Sequence, residues 1–196
     1  MITHVPQAPK LIILEGPDGA GKSTLGRVLA KHFGGMFFHC TATKTLIPAM
    51  RDYQLNVLEN VYENIAFGRT VVLDRFWPSE MIYGGVLRPD NPHGFLWKEL
   101  EEACNKLDAF YVICNCESAL ARHKETKDPA HPYEDSIYAK IHREYVCFWN
   151  ASKHLPQFMN YDMDSMGHDL HSVADLINIR FNHYYVRKYR LDQQPE

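Results

Sequence analysis

No run of apolar residues in this chain approaches the ~20 that a membrane-spanning helix requires. The first ten residues, Met1 to Lys10, lack the apolar core of a secretory signal, so a cytoplasmic location is expected. No CxxC pair occurs among the five cysteines (Cys40, Cys104, Cys114, Cys116, Cys147), and their number is odd. Cys114 and Cys116 lie two apart in a predicted strand and share a face, which suits neither a disulfide nor an ordinary zinc knuckle. Core thiols are the expectation. The 11 histidines are scattered and no HExxH occurs, so no histidine metal centre is predicted. Internal repeats and low-complexity segments are absent too. Net charge is −3, which argues against a broad nucleic-acid-binding surface and leaves a local basic groove open. What remains is 196 residues with 45% hydrophobic and 23% charged content, the balance of one soluble globular domain.

Along that chain apolar runs alternate with helical patterns. Strands are predicted at Lys10–Leu14, Met36–Cys40, Thr70–Asp74, Ala109–Asn115 and Gln157–Asp162. Helices are predicted at Leu25–Phe33, Met50–Phe67, Phe95–Leu107, Ser118–Lys127, Tyr133–Lys153 and Asp169–His183. A shorter one is expected from Asp74–Ser79 through Tyr83, broken at Gly84-Gly85. Residues 1–9 read as a loose leader, 41–48 and 87–94 as loops, and 184–196 as a polar, aromatic tail without an assigned role. Alternating strands and helices of this kind fold as an α/β doubly wound parallel sheet.

One stretch carries specific chemistry. Gly16-Pro17-Asp18-Gly19-Ala20-Gly21-Lys22-Ser23 follows a predicted buried strand and opens a helix, the context that a phosphate-binding loop needs. Glycines let backbone N–H groups curl around a polyphosphate, and the helix N-terminus adds its positive dipole end. Gly16, Asp18, Gly19, Ala20, Gly21, Lys22, Ser23 and Thr24 are therefore the predicted ATP-binding residues. Lys22 is expected to reach the β- and γ-phosphates and the Ser23 hydroxyl to hold Mg²⁺. Asp74 ends another apolar strand, at the sheet edge where ligands of open α/β sheets bind, and is a second candidate for Mg²⁺. Its neighbour Arg75 offers a planar fork suited to a phosphate or a transferring phosphoryl group.

These segments resemble the thymidylate kinases. Glu15 to Thr24 is similar to that family's EGxDGAGKST loop, and Asp74 to Gly85 to its DRY…S…AY(Q)G segment. Leu107 to Asn115 resembles its fourth strand, Ala119 to Arg122 the start of its lid, and Tyr133 to Tyr145 the helix after the lid. The likeness spans roughly residues 10–182, with a lid at about 122–134. It implies a three-layer sandwich around a five-stranded parallel sheet ordered 2-3-1-4-5. It also implies ATP and Mg²⁺ as cofactors, a homodimer, and phosphoryl transfer to a pyrimidine deoxynucleoside monophosphate (dNMP). By the same likeness Asp18 contacts the acceptor's 3′-hydroxyl or a metal-bound water, Arg75 grips the acceptor phosphate, and Tyr83 packs beneath the deoxyribose. Ala20 stands where some members place an arginine. The transition-state cation is then expected from the lid, with Arg122, Lys124 and Lys127 as candidates.

The departures concern the base. The family's stacking phenylalanine and base-reading arginine would fall near Ala49 and Tyr53, and neither residue fits. Tyr53 is expected to stack instead, with Arg51 or Gln54 bonding to the base edge. A modified pyrimidine or another base is thus admitted. Two other readings stay open. One is a kinase of a hydroxyl, either of a deoxynucleoside or of 5-hydroxymethyluracil in phage DNA, the latter helped by the aromatic-basic tail. The other is a non-catalytic nucleotide-binding regulator. Asn105-Lys106-Leu107-Asp108 matches the guanine-reading NKxD pattern but ends a predicted helix, the wrong context for it.

Overall fold

The computed structural model describes residues 8–40, 47–88, 96–126, 134–166 and 169–191. Its organising element is β1 (Leu11–Glu15), five residues that are all buried. Isoleucines and leucines on both faces suit a strand covered from two sides. β1 pairs in parallel with β3 (Val71–Asp74) on one flank and with β4 (Phe110–Cys114) on the other. β2 (Met36–His39) adds to β3, and β5 (Phe158–Tyr161) adds to β4. The sheet therefore runs β2-β3-β1-β4-β5, all parallel, in the order expected.

Alternation along each strand divides the core in two. Ile12, Leu14, Val72, Phe110 and Val112 face one side, where they meet Leu25 and Leu29 of α1 (Lys22–His32) and Ile177 and Phe181 near the C-terminus. Leu11, Ile13, Val71, Leu73 and Tyr111 face the other. There they meet α2 (Ile47–Ala66), α3 (Trp77–Leu87), α4 (Leu96–Lys106) and α6 (Asp135–Ser152). Trp77 is typical of this packing: its indole N–H donates to the Tyr111 hydroxyl at 3.1 Å while its rings stack on Trp97. Each such side chain taken out of water contributes about 1.5–3 kcal/mol.

Four expectations need correction. Helix α2 begins at Ile47, earlier than predicted, with Pro48 in the first turn, where a missing N–H costs nothing. Helix α3 does not break at Gly84-Gly85 but continues to Leu87. Two glycines cost about 1 kcal/mol each in a helix, and packing of Ile82 and Tyr83 on Ile141 and Tyr145 of α6 holds the helix through them. Beyond α5 (Ala119–Thr126), the loop expected after β5 contains a helical turn, α7 (Met163–Met166). The Asp162 carboxylate caps that turn by accepting the Asp164 N–H and the Ser165 hydroxyl. The last helix, α8 (Leu170–Leu191), runs through the supposed tail, because Tyr184 and Tyr185 extend its apolar face by packing on Phe181. The leader is anchored at its end: Pro9 is buried and its carbonyl accepts the Thr70 hydroxyl. Residues 127–133 of the expected lid, Lys127 included, lie outside the described residues.

Candidate active site

All five strands end on one side of the sheet, and the chemistry gathers there. The turn from β1 into α1 passes through Gly16, Gly19 and Gly21, each at positive φ. At Gly16 a β-carbon would stand 2.0 Å from the Cys114 carbonyl oxygen of β4. The loop can thus lie against the neighbouring strand only as glycine. Lys22 opens α1, and its buried side chain donates from Nζ to the Pro17 carbonyl at 2.6 Å. Burial, then the nearby Arg75, push the Lys22 pKa down, against the pull of Asp74 and Asp18.

Ser23, next on the helix, donates its hydroxyl to Asp74 at the end of β3. Asp74 also takes a hydrogen bond at 2.8 Å from Nδ1 of His39, its register partner on β2. Burial alone would raise the Asp74 carboxyl. The His39 hydrogen bond, Lys22, Ser23 and Arg75 outweigh it, and the pKa lies below the usual carboxylate value. Its second oxygen, Oδ1, is buried with no hydrogen-bond partner among the described residues. An orphaned carboxylate oxygen beside a serine hydroxyl is a donor pair of the hard kind that Mg²⁺ takes. The described residues hold no group of three or more His, Cys, Asp or Glu able to bind a metal by themselves.

Arg75 follows at φ 73°, in the left-handed region, a strain of about 1–3 kcal/mol that persists only where surroundings enforce it. They do so here. Nη1 donates to the Gly16 carbonyl at 3.0 Å, the Tyr145 hydroxyl at 3.1 Å and the Ser79 hydroxyl at 3.2 Å. Nη2 pairs with the Asp18 carboxylate, and the guanidinium lies over the Tyr83 ring, 4.8 Å from its centroid. The Tyr83 hydroxyl in turn donates to Asp18 at 3.2 Å. Beneath them sits Glu15, wholly buried, accepting the Phe76 N–H at 2.7 Å and the hydroxyls of Ser79 and Tyr145 at 2.5 and 3.1 Å. Burial pushes the Glu15 carboxyl above its usual value of 4.5, against the Ser79 hydrogen bond and the Arg75 charge.

From α5, Arg122 reaches over the loop, its Nε donating to the Gly19 carbonyl at 2.8 Å and Nη1 to Asp164 of α7 at 3.2 Å. Ser118 joins α5 to the same Asp164 carboxylate through its N–H at 2.9 Å and its hydroxyl. Together these elements enclose an open cleft of about 380 Å³. Asp18, Lys22, Ser23, Asp74, Arg75 and Arg122 all line it, with Gly19, Gly21 and Thr24 on the loop side. The two cationic groups expected to hold donor and acceptor thus share one cleft.

Other expectations fare differently. Arg51 is exposed on α2 and Tyr53 packs half-buried into the core, where its hydroxyl meets the Cys40 thiol; neither lines the cleft. Gln54 is buried in the same helix. A face turned to the core or to solvent explains all three. Lys124 points away, pairing with Asp135 at 2.6 Å. Asp108 of the NKxD match sits in the turn before β4 and pairs with Lys188, so that motif is no base reader. His39, Glu15, Ser79, Tyr138, Tyr145 and Met163 were not singled out. A signal existed for Glu15, a charge ending a buried strand.

No protein-family model matches the chain. A thymidylate kinase of Brachyspira hyodysenteriae is 24% identical over 177 residues, covering 74% of this chain and 86% of that one. A cytidylate kinase of Roseiflexus castenholzii is 58% identical over 31 residues, only 16% of this chain and 13% of that one. Deoxyadenosine kinase from M. mycoides with bound dCTP superposes with a TM-score of 0.57 at 17% identity, over 88% of this chain and 98% of that one. Thymidylate kinase from Candida albicans does so with 0.58 at 14% identity, over 89% and 93%. Sequence relative, phosphate loop and superposable fold agree: the chain has the fold of the P-loop nucleotide kinases and is similar in sequence to a thymidylate kinase.

Proposed function

We propose that the protein transfers the γ-phosphoryl group of ATP to the 5′-phosphate of a pyrimidine dNMP, with pyrimidines modified at position 5 among the acceptors. The observation that carries this reading is the placement of Lys22 and Arg75 on one cleft at the carboxyl edge of the sheet. Phosphoryl transfer needs little covalent help from a protein; it needs donor and acceptor in line and their charge neutralised. The loop amides from Gly16 to Gly21 and the α1 N-terminus would cradle the donor phosphates, Lys22 swinging from Pro17 to the β- and γ-oxygens. Ser23 and Asp74 would hold Mg²⁺, whose charge would offset that of the donor phosphates. Arg75, preset by Gly16, Ser79 and Tyr145, would present its remaining N–H groups to the acceptor phosphate, exchanging Asp18 for the incoming anion. Asp18, exchanged by Arg75, would turn to the acceptor's hydroxyl. Arg122, already on the loop at Gly19, is the cation placed to meet charge developing on the transferring group.

A second reading, with a deoxynucleoside hydroxyl as acceptor, draws on the Asp18–Arg75 pair, which already neutralises the guanidinium. The DNA version draws on the tail, whose Tyr184 and Tyr185 pack on Phe181 and whose Lys188 pairs with Asp108. Those contacts turn three of its side chains toward the chain's own residues. ADP release measured against parallel panels of dNMPs and deoxynucleosides tests both. Turnover with a dNMP supports the proposal; turnover confined to deoxynucleosides transfers the assignment to the second reading. A homodimer is the assembly that the resemblance implies, and sedimentation equilibrium checks it. No described helix is long and apolar enough to cross a membrane.

A further inference from the structure

Two tyrosines of α6 reach the cleft's polar groups from behind. Tyr138 and Tyr145 stand two helical turns apart on one face of the helix, about 10 Å along its axis. Both are essentially without solvent exposure, at 1% and 0%. The Tyr138 ring stacks on His123 of α5, centroids 4.7 Å apart and planes within 19°, and its hydroxyl donates to the Asp18 backbone carbonyl in the phosphate loop. The Tyr145 ring meets Tyr83 edge to face at 6.3 Å. Its hydroxyl lies 3.1 Å from Arg75 Nη1, 2.7 Å from Ser79 Oγ and 3.1 Å from Glu15 Oε2. Packing alone would be served as well by phenylalanine, since a buried hydroxyl must recover its desolvation cost through partners. The partners it finds are groups of the active site.

We propose that α6 is the element that sets the two substrate subsites: Tyr145 is a positioning residue for Arg75 on the acceptor side, and Tyr138 is one for the phosphate loop and α5 on the donor side. A stiff helix between the two hydroxyls fixes the distance across which the phosphoryl group moves. Tyr145 supplies Arg75 with an oxygen acceptor and passes its own proton toward Glu15 or Ser79. That chain fixes the guanidinium plane, which a bidentate phosphate contact requires. Tyr138 fixes the carbonyl of Asp18 and, through His123, the helix that carries Arg122. The inference rests on the acceptor assignment made above.

Tyr145→Phe and Tyr138→Phe keep both rings and remove one hydroxyl each. Calorimetric titration of Mg·AMP-PNP reads the donor side, and titration of the best dNMP onto the AMP-PNP complex reads the acceptor side. Tyr145→Phe is expected to weaken dNMP binding about tenfold, the loss of one hydrogen bond to a charged group, with AMP-PNP affinity unchanged. Tyr138→Phe is expected to weaken AMP-PNP and spare the dNMP. Both variants shifting both constants alike, or neither shifting either, overturns the proposal. Wild-type protein that binds no dNMP sinks the acceptor assignment and the Tyr145 role with it. Wild-type binding that Tyr145→Phe leaves unmoved sinks the Tyr145 role alone.

Discussion

Replacing Arg75 by lysine separates charge from geometry. Lysine keeps the positive charge, so Asp18 is not left as an unpaired anion, and it keeps the strained φ of 73°, which costs lysine what it costs arginine. What it loses is the fork. One ammonium group cannot reach Asp18 and at the same time serve Gly16, Ser79 and Tyr145, which the two guanidinium nitrogens satisfy together. At least two hydrogen bonds to a charged group disappear, about 1.5 kcal/mol apiece at the low end, so roughly 3 kcal/mol of stability should go. At about 2–4 °C per kcal/mol for a chain of this size, Tm should fall by about 6–12 °C. The acceptor KM should rise while the KM for ATP stays near wild type, because in the proposed function the fork faces the acceptor. Differential scanning calorimetry and initial-rate kinetics on one preparation read both effects. An unchanged Tm with unchanged acceptor KM would refute the claim that this guanidinium is a preset clamp.

Further outcomes follow from the same geometry. Gly16→Ala places a β-carbon 2.0 Å from the Cys114 carbonyl and should cost about 3 kcal/mol or more, read as lost soluble yield or a much lower denaturant midpoint. His39→Ala removes the Nδ1 hydrogen bond that steadies Asp74 and should raise the Mg²⁺ concentration for half-maximal rate, while His39→Asn partly restores it. Glu15 and Asp74 should act on stability with opposite slopes in pH. The raised Glu15 pKa makes its contribution complete below the ordinary carboxylate value and lost as pH rises through the folded one. The lowered Asp74 pKa makes its contribution complete above 3.8 and lost as pH falls through the folded value. Melting curves should therefore show Glu15→Gln gaining on wild type as pH rises and Asp74→Asn losing; parallel trends contradict both assignments. Asp108→Ala, which breaks the contact to Lys188, should leave nucleotide choice unchanged in the same kinetic assay.

The strands were legible because a parallel sheet covered on both faces needs unbroken apolar runs, and the phosphate loop because its glycines and lysine have few other uses. Asp74 and Arg75 were legible from their position at a strand end. His39 was not, since its tie to Asp74 spans 35 residues and exists only once β2 and β3 fall into register. Tyr145 lies on the apolar face of α6, and its ring packs there. Its hydroxyl's role depends on α6 crossing behind Arg75, which periodicity along α6 cannot show. Gly84 and Gly85 misled because local propensity was weighed without the packing of α3 on α6. Arg51 and Tyr53 were placed by counting along α2 against the family's base-reading positions, and a position along a helix does not fix which side chains turn toward the cleft.

The central claim is that donor and acceptor phosphates meet in one cleft between Lys22 and Arg75. An adenosine and a thymidine joined 5′ to 5′ through five phosphates would fill both subsites at once, and its affinity by titration calorimetry tests the claim directly. With the second half bound at millimolar effective concentration, it should bind about a hundredfold or more tightly than ADP or dTMP, and lose that advantage in both Lys22→Met and Arg75→Met. Affinity no better than ADP, unaffected by Arg75→Met, would contradict the account.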